Sequence, residues 1–205
     1  MDLVEFFQSG GPFMYAILVV MAIGLAIALE RFIFVMITQG KTNTLWRNLM
    51  PMLQASDFER AYQVVDQAKT PLAKVLQYGF ARHRVNAKRD MIDASMEEGI
   101  MEVTPQLEAR THYLATLANI ATLLGLLGTI IGLIQAFTAV ASADPAEKAD
   151  LLSASISVAM NTTAFGLTAA IPLLLIHSFL ATKTTRLVDN LEMAAVKCLN
   201  FICDE

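Results

Sequence analysis

Residues 111–143 and 151–182 contain no Asp, Glu, Lys or Arg, yet each carries hydroxyl side chains in its middle. A helix needs roughly 20 apolar residues to cross a bilayer core, and both runs exceed that. They are transmembrane candidates with an unusual polar content: Thr122 and Thr129 in the first, and Ser155, Ser157, Asn161, Thr162, Thr163 and Thr168 in the second. A lipid-facing helix has no use for such a stripe. A helix packed on other helices, or lining an ion path, does.

A third candidate span lies near the start. Residues 11–29 are free of charge, and after Glu30 and Arg31 the apolar run resumes over 32–37. A cleaved leader starts with basic residues and has a shorter apolar segment. Here Asp2 and Glu5 come first and no Lys or Arg precedes Arg31, so an uncleaved span over about 12–37 is expected. The share of apolar residues, 55%, against 17% charged fits a chain with three spans.

Orientation follows from the basic residues. Most of the fifteen Lys and Arg lie between Lys41 and Arg110, and Lys183, Arg186 and Lys197 follow the last span. The loop between the two long spans holds only Lys148 beside Asp144, Glu147 and Asp150. Weighting Lys41, Arg47, Arg110, Lys183 and Arg186, which lie near span ends, the positive-inside rule puts the middle segment and C-terminus in the cytoplasm and the N-terminus outside. The net charge of -4 averages over two compartments and says little about partners. Nothing in the chain points to nucleic-acid binding.

The segment 38–110 is expected to be helical, broken at Pro51 and Pro71. Apolar residues recur at three and four residue spacing over 58–65 and 72–80, and Asp57 is placed to cap the first of these helices. From 87 to 107 the pattern continues through Met91, Ala94, Ile100 and Val103 toward the second span, with a kink expected at Pro105. In the tail, residues 183–205, Leu187, Leu191, Ala195, Cys198 and Ile202 form one apolar stripe. The expected architecture is an all-α membrane protein, a single membrane domain over 1–205. Its three spans, about 12–37, 112–141 and 152–182, carry long cytoplasmic helical extensions.

Cys198 and Cys203 are five apart with no His nearby, which fits neither a zinc site nor a disulfide framework, so both are expected to be structural thiols. His83, His112 and His177 are scattered. Catalysis inside the membrane needs a nucleophile with its base or a pair of carboxylates. Neither long span holds such a set, so no enzyme activity, cofactor or metal is expected.

A single Thr in a membrane helix usually bonds its own i−4 carbonyl and serves packing. Here the hydroxyls come with Gly125, Gly128 and Gly132 around Thr129, and with Gly166, Ala169 and Ala170 after Thr163. Such small residues let two helices approach closely, bringing Thr129 and Thr162 or Thr163 to similar depth. Pro172 is expected to bend the third span, because its missing N–H frees the carbonyl of Thr168. A hydroxyl can relay a proton but cannot store charge at ordinary pH. An ion path here would need a carboxylate from another polypeptide.

The run LLGLLGTIIG at 123–132 and NTTAFGLTAAIP at 161–172 resemble the TolQ/ExbB/MotA proton-channel family, as do Glu30-Arg31 and Thr70-Pro71-Leu72-Ala73. Three spans in 205 residues are similar to the ExbB/TolQ branch rather than the four-span MotA branch. The resemblance implies a homopentamer in a bacterial inner membrane. The pentamer would enclose a dimer of a single-span ExbD/TolR-like partner whose membrane Asp takes up and releases the proton, with a TonB- or TolA-like protein beyond it. Thr129 and Thr163 match the family's pore threonines. Two departures stand out: Val158 occupies the place of a Glu usual in ExbB and TolQ, and Thr122 that of a frequent Pro.

The expected function is therefore a stator-type proton-channel subunit that uses the proton motive force for outer-membrane transport or envelope work. Its expected proton path includes Thr129, Thr163, Thr162 and Asn161. Glu30 and Arg31 are expected to be interface anchors. A motility stator and a non-conducting scaffold are the alternatives, and sodium is the alternative ion.

Overall fold

The computed structural model describes residues 11–203 apart from Asn86 and the side chain of Ser142; Asp2 and Glu5 lie outside the described residues. All regular structure among them is helical: α1 (Phe13–Gln54), α2 (Phe58–Gln67), α3 (Pro71–His83), α4 (Arg89–Glu108), α5 (Thr111–Ser142) and α6 (Lys148–Cys203). Three stretches are long and apolar enough to cross a membrane, in α1, in α5 and in α6. At 1.5 Å per residue, the 42 residues of α1 and 56 of α6 come to about 63 and 84 Å, at least twice the bilayer core. A large part of each helix must therefore lie beyond hydrocarbon.

Contacts group into two compact units, Met1–Glu30 with Arg110–Ser178, and Arg31–Ala109 with Phe179–Glu205. The second unit is built like a water-soluble helical bundle. Leu49 and Leu53 of α1, Val65 of α2, Leu76 and Phe80 of α3, Ile92 and Met96 of α4, and Leu187 and Leu191 of α6 share one core. Each fully buried side chain of this size contributes roughly 1.5–3 kcal/mol by leaving water. All five residues of the tail stripe, Leu187, Leu191, Ala195, Cys198 and Ile202, are buried.

Local chemistry sets the helix ends in this unit. The Asp57 carboxylate accepts from Arg60 N–H at 3.2 Å and starts α2. The Thr70 hydroxyl accepts from Ala73 N–H at 3.1 Å, and Pro71 occupies the first turn of α3, where its missing donor costs nothing. At the end of α4, the buried Arg31 donates to the Leu107 carbonyl and lies over the Phe34 ring, 4.5 Å from its centroid.

Two local expectations are corrected, the break at Pro51 and the buried face of α4. Helix α1 continues through Pro51 to Gln54. It stops where Ser56 turns left-handed (φ 55), with Ser56 N–H bonded to Leu53 O and Asp57 N–H to Met52 O, a closed C-terminal motif that satisfies the last carbonyls. Pro105 lies inside α4, and the break before the second span comes at Ala109 and Arg110, the latter left-handed at φ 64. The buried face of α4 also differs from the expected stripe. Met91 and Ala94 are exposed, while Ile92, Met96, Gly99 and Val103 face inward. Gly99 sets that rotation, because a Cβ there would come within 3.0 Å of the Val75 Cα.

The first unit follows a different packing rule. Along α5 from Leu114 onward the buried positions are Leu114, Ala118, Ala121, Gly125, Gly128, Gly132 and Ala136, while Leu123, Leu126, Ile130, Ile134 and Phe137 are exposed. Small residues thus sit inside and large apolar residues outside. That inversion suits a helix whose surroundings are lipid or another apolar surface, where only close packing favours association. The inward set recurs every three or four residues, the spacing of a continuous helix–helix seam.

Candidate functional site

The candidate site is the seam between α5 and α6. A Cβ added at Gly132 would lie 2.9 Å from the Ala159 Cβ, one at Gly128 would lie 2.3 Å from the Thr162 methyl, and one at Gly125 would lie 3.2 Å from the Thr163 Cα. A Cβ at Gly166 would meet the Ala121 carbonyl oxygen at 2.8 Å and the Gly125 Cα at 3.0 Å. The order of these contacts shows α5 and α6 running antiparallel, with the backbones close enough that only glycine fits. Gly24 of α1 is a further member: a Cβ there would sit 2.7 Å from a methyl of Leu173. The sequence reading passed over Gly24, a lone small residue in an otherwise apolar run.

The hydroxyls divide by partner. Thr163 donates across the seam to the Gly125 carbonyl at 2.8 Å. Thr162 is only 2% exposed and donates to Val158 O at 3.0 Å within its own helix. Thr129 donates to Leu126 O at 2.6 Å, Thr122 to Ala118 O at 3.0 Å and Thr168 to Ala164 O at 2.8 Å. Asn161, Thr163 and Thr129 are half-buried. Gly128 faces Thr162, so Thr129 stands beside the Thr162 level, and Thr163 faces Gly125 one turn, about 6 Å, farther along α5. The structure thus brings Thr129, Thr162 and Thr163 to one region of the seam.

A threonine whose proton is committed to a carbonyl keeps its oxygen lone pairs. In this geometry Thr129 and Thr163 can accept a hydrogen bond from water or from a protonated carboxyl. To donate to a carboxylate, either hydroxyl must first leave its carbonyl. No Asp, Glu, Lys or Arg lies in residues 111–143 or 151–182, so the seam has no charge-storing group of its own. Among the described residues no group of three or more His, Cys, Asp or Glu is placed to hold a metal ion.

The other singled-out residues have identifiable surroundings. Glu30 accepts two bonds from one Arg110 nitrogen, both at 3.0 Å. Val158 is half-buried, and Pro172 lies inside α6. Outside the spans, the carboxylate of Glu102 takes hydrogen bonds from Lys74 at 2.7 Å and from the Tyr78 hydroxyl at 2.8 Å. These hold its pKa below the usual carboxylate value, and the same carboxylate raises that of the Tyr78 phenol. Burial pushes the Cys198 thiol up to about 12. A network joining Lys74 to Glu102, 28 positions apart, has no signature in local sequence.

Comparison with known proteins gives a consistent family. The putative biopolymer transport protein ExbB homolog of Methanothermobacter thermautotrophicus is 27% identical over 191 residues, which is 92% of this chain and 66% of that protein. The biopolymer transport protein exbB1 of Vibrio cholerae is 34% identical over 93 residues, 45% of this chain and 41% of its own length. The Tol-Pal system protein TolQ of Haemophilus influenzae is 35% identical over 84 residues, 41% of this chain and 36% of its own. The matched stretch therefore spans just under two thirds of the first of these relatives and less than half of the other two. Residues 67–193, which contain both α5 and the hydroxyl-bearing part of α6, match the family description as a whole, and the chain belongs to the MotA/TolQ/ExbB proton channel family.

Proposed function

We propose that this chain is the wall-forming subunit of a proton-driven membrane machine, and that its α5–α6 seam guides protons to a carboxylate supplied by a partner. The observation that carries the reading is the pairing of clustered hydroxyls with a complete lack of Asp and Glu in both long spans. A family of proton channels needs a group that changes charge, and a hydroxyl cannot do so at ordinary pH. A single-span partner similar to ExbD or TolR, bearing a membrane Asp, supplies it. Several copies of this chain, five by the family resemblance, surround a dimer of that partner in a bacterial inner membrane, with the N-terminus outside and the segment 38–110 in the cytoplasm.

The hydroxyl geometry gives the cycle a direction. While Thr129 and Thr163 donate to their carbonyls, their oxygens favour the protonated partner Asp, which is a donor. Loss of that proton toward the cytoplasm leaves a carboxylate that gains from the hydroxyls only if they break those bonds. The two charge states of the partner thus prefer different arrangements of the wall. Each proton crossing 100 mV releases about 2.3 kcal/mol to move the partner between them. Val158, in place of the family's usual Glu, makes the borrowed carboxylate the sole one at this depth. The names of the relatives point to biopolymer transport or a Tol-Pal system as the driven process.

Substitution tests the reading. Thr129→Val and Thr163→Val, made with the partner co-expressed, should abolish driven work while the assembled complex is still recovered. Unchanged work in both variants would remove the seam from the proton path.

A further inference from the structure

A cavity of about 610 Å³ lies in the unit formed by Arg31–Ala109 and Phe179–Glu205, apart from the seam. Its walls are sorted by chemistry. Phe34 and Ile37 of α1, 38% and 51% exposed, supply an apolar side, while Lys41, Lys69 and Lys74 supply a cationic side that is offset by Asp66. Positions 34, 37 and 41 share one face of α1, and the seven helical steps from Phe34 to Lys41 span about 10 Å. Over that distance α1 passes from the last apolar residues of the first span to Lys41, the first basic residue after that span. A bilayer makes the same change from acyl chain to headgroup over a comparable depth.

Lys74 is held by Glu102 at 2.7 Å, but Lys41 and Lys69 have no ion-pair partner among the described residues. Two ammonium groups outside any ion pair, outnumbering the single Asp66 carboxylate on that wall, lie beside two exposed apolar side chains and form an amphipathic site. A free phosphate would use only the cationic half. A zwitterionic lipid would gain little from it, because its own ammonium offsets its phosphate. We propose that this cavity binds an anionic phospholipid of the leaflet next to the middle segment, with its headgroup phosphate on Lys41 and Lys69 and its acyl chain along Phe34 and Ile37. The proposal rests on the reading of α1 as a membrane span and of 38–110 as cytoplasmic. The Thr70-Pro71-Leu72-Ala73 stretch thereby gains a role, since Thr70 and Pro71 line the same cavity.

The test titrates the detergent-solubilised complex of the full chain and its co-expressed partner, after delipidation, with short-chain phosphatidylglycerol, short-chain phosphatidylcholine or inorganic phosphate, reading bound adducts by native mass spectrometry. Phosphatidylglycerol should bind at least 10-fold more tightly than phosphatidylcholine. The double variant Lys41→Gln/Lys69→Gln should weaken it by roughly 30-fold, since each basic residue near an anionic headgroup contributes about 1 kcal/mol. Ile37→Ser should weaken it as well. A control, Arg47→Gln/Arg60→Gln, alters exposed charges outside the cavity and should change nothing. Equal displacement by inorganic phosphate would make this a soluble-anion site, and equal loss in the control would make the attraction diffuse; either result overturns the proposal. Binding in detergent does not depend on sidedness, so failure counts against the cavity alone. Thiol labelling of Arg47→Cys in intact cells, in a chain lacking Cys198 and Cys203, tests the cytoplasmic placement separately.

Discussion

The hydroxyl of Thr163 on α6 donates to the carbonyl of Gly125 on α5 at 2.8 Å, a side-chain bond that crosses the glycine seam. It can form because Gly125 presents its backbone within van der Waals reach of the Thr163 Cα. Thr163→Val should remove the bond at a cost to assembly of about 0.6–2 kcal/mol, the range for hydroxyl bonds between membrane helices. Thr163→Ser should retain both the bond and driven work. Comparing recovered complex with proton-dependent activity across the two variants separates a packing role from a role in the path.

Glycine substitution tests the seam itself. Gly166→Ala places a methyl against backbone on α5, which cannot rotate away, so the helices must part. A loss of about 1–3 kcal/mol is expected, read as a lower thermal midpoint of the detergent-solubilised complex. Gly40→Ala is the matched control, since a Cβ there meets nothing within 4 Å and α1 gains helix propensity. Its midpoint should hold or rise.

These two cases show what was legible in the sequence and what was not. The spans follow from absent charge over lengths that hydrocarbon demands, and the glycines at 125, 128, 132 and 166 mark a close approach whatever their partner. Which of two adjacent threonines bonds across the seam is a matter of about 100° of helix rotation, set by contacts from the other helix. Thr162 is buried and Thr163 makes the cross-helix bond, a distinction local spacing cannot resolve. The same one-residue rotation displaced the expected face of α4, where Met91 resembled a core residue as much as Ile92 did. The buried pairing of Arg31 with the Leu107 carbonyl joins residues 76 apart, so local sequence does not announce it.

Arg110 carries a conformational cost that can be measured. Its φ of 64 is left-handed, which disfavours a side chain by about 1–2 kcal/mol relative to glycine. Its ion pair with Glu30 is largely exposed and recovers no more than about 1 kcal/mol. Arg110→Gly should leave the thermal midpoint unchanged or raise it slightly, whereas Arg110→Val, β-branched and uncharged, should lower it.

The Glu102 network predicts a pH dependence of known sign. Hydrogen bonds from Lys74 and Tyr78 lower the folded pKa of Glu102, so its stabilising contribution is present above the unfolded carboxylate pKa and is lost as pH falls through the folded value. The wild-type advantage over Glu102→Gln in thermal midpoint should be full at neutral pH and shrink below about pH 4. The raised Tyr78 pKa acts at the opposite end. Its contribution is lost as pH rises through the folded value, so Tyr78→Phe should differ least from wild type in strong alkali.

Cys198 is buried, with its thiol pushed up to about 12, while Cys203 is half-buried. Because the thiolate is the reacting form, maleimide at pH 8 should modify Cys203 in the folded chain and reach Cys198 only after denaturation. Peptide mapping of the labelled sites before and after unfolding checks this.

The most direct test of the borrowed carboxylate is proton flux into proteoliposomes in sodium-free buffer under an imposed membrane potential. Three preparations are compared: this chain with its partner, the same pair carrying Asp→Asn at the partner's membrane aspartate, and the Thr129→Val/Thr163→Val chain with the unaltered partner. Flux should appear in the first and be lost in the other two. Equal flux from all three, or from this chain without any partner, would contradict the account.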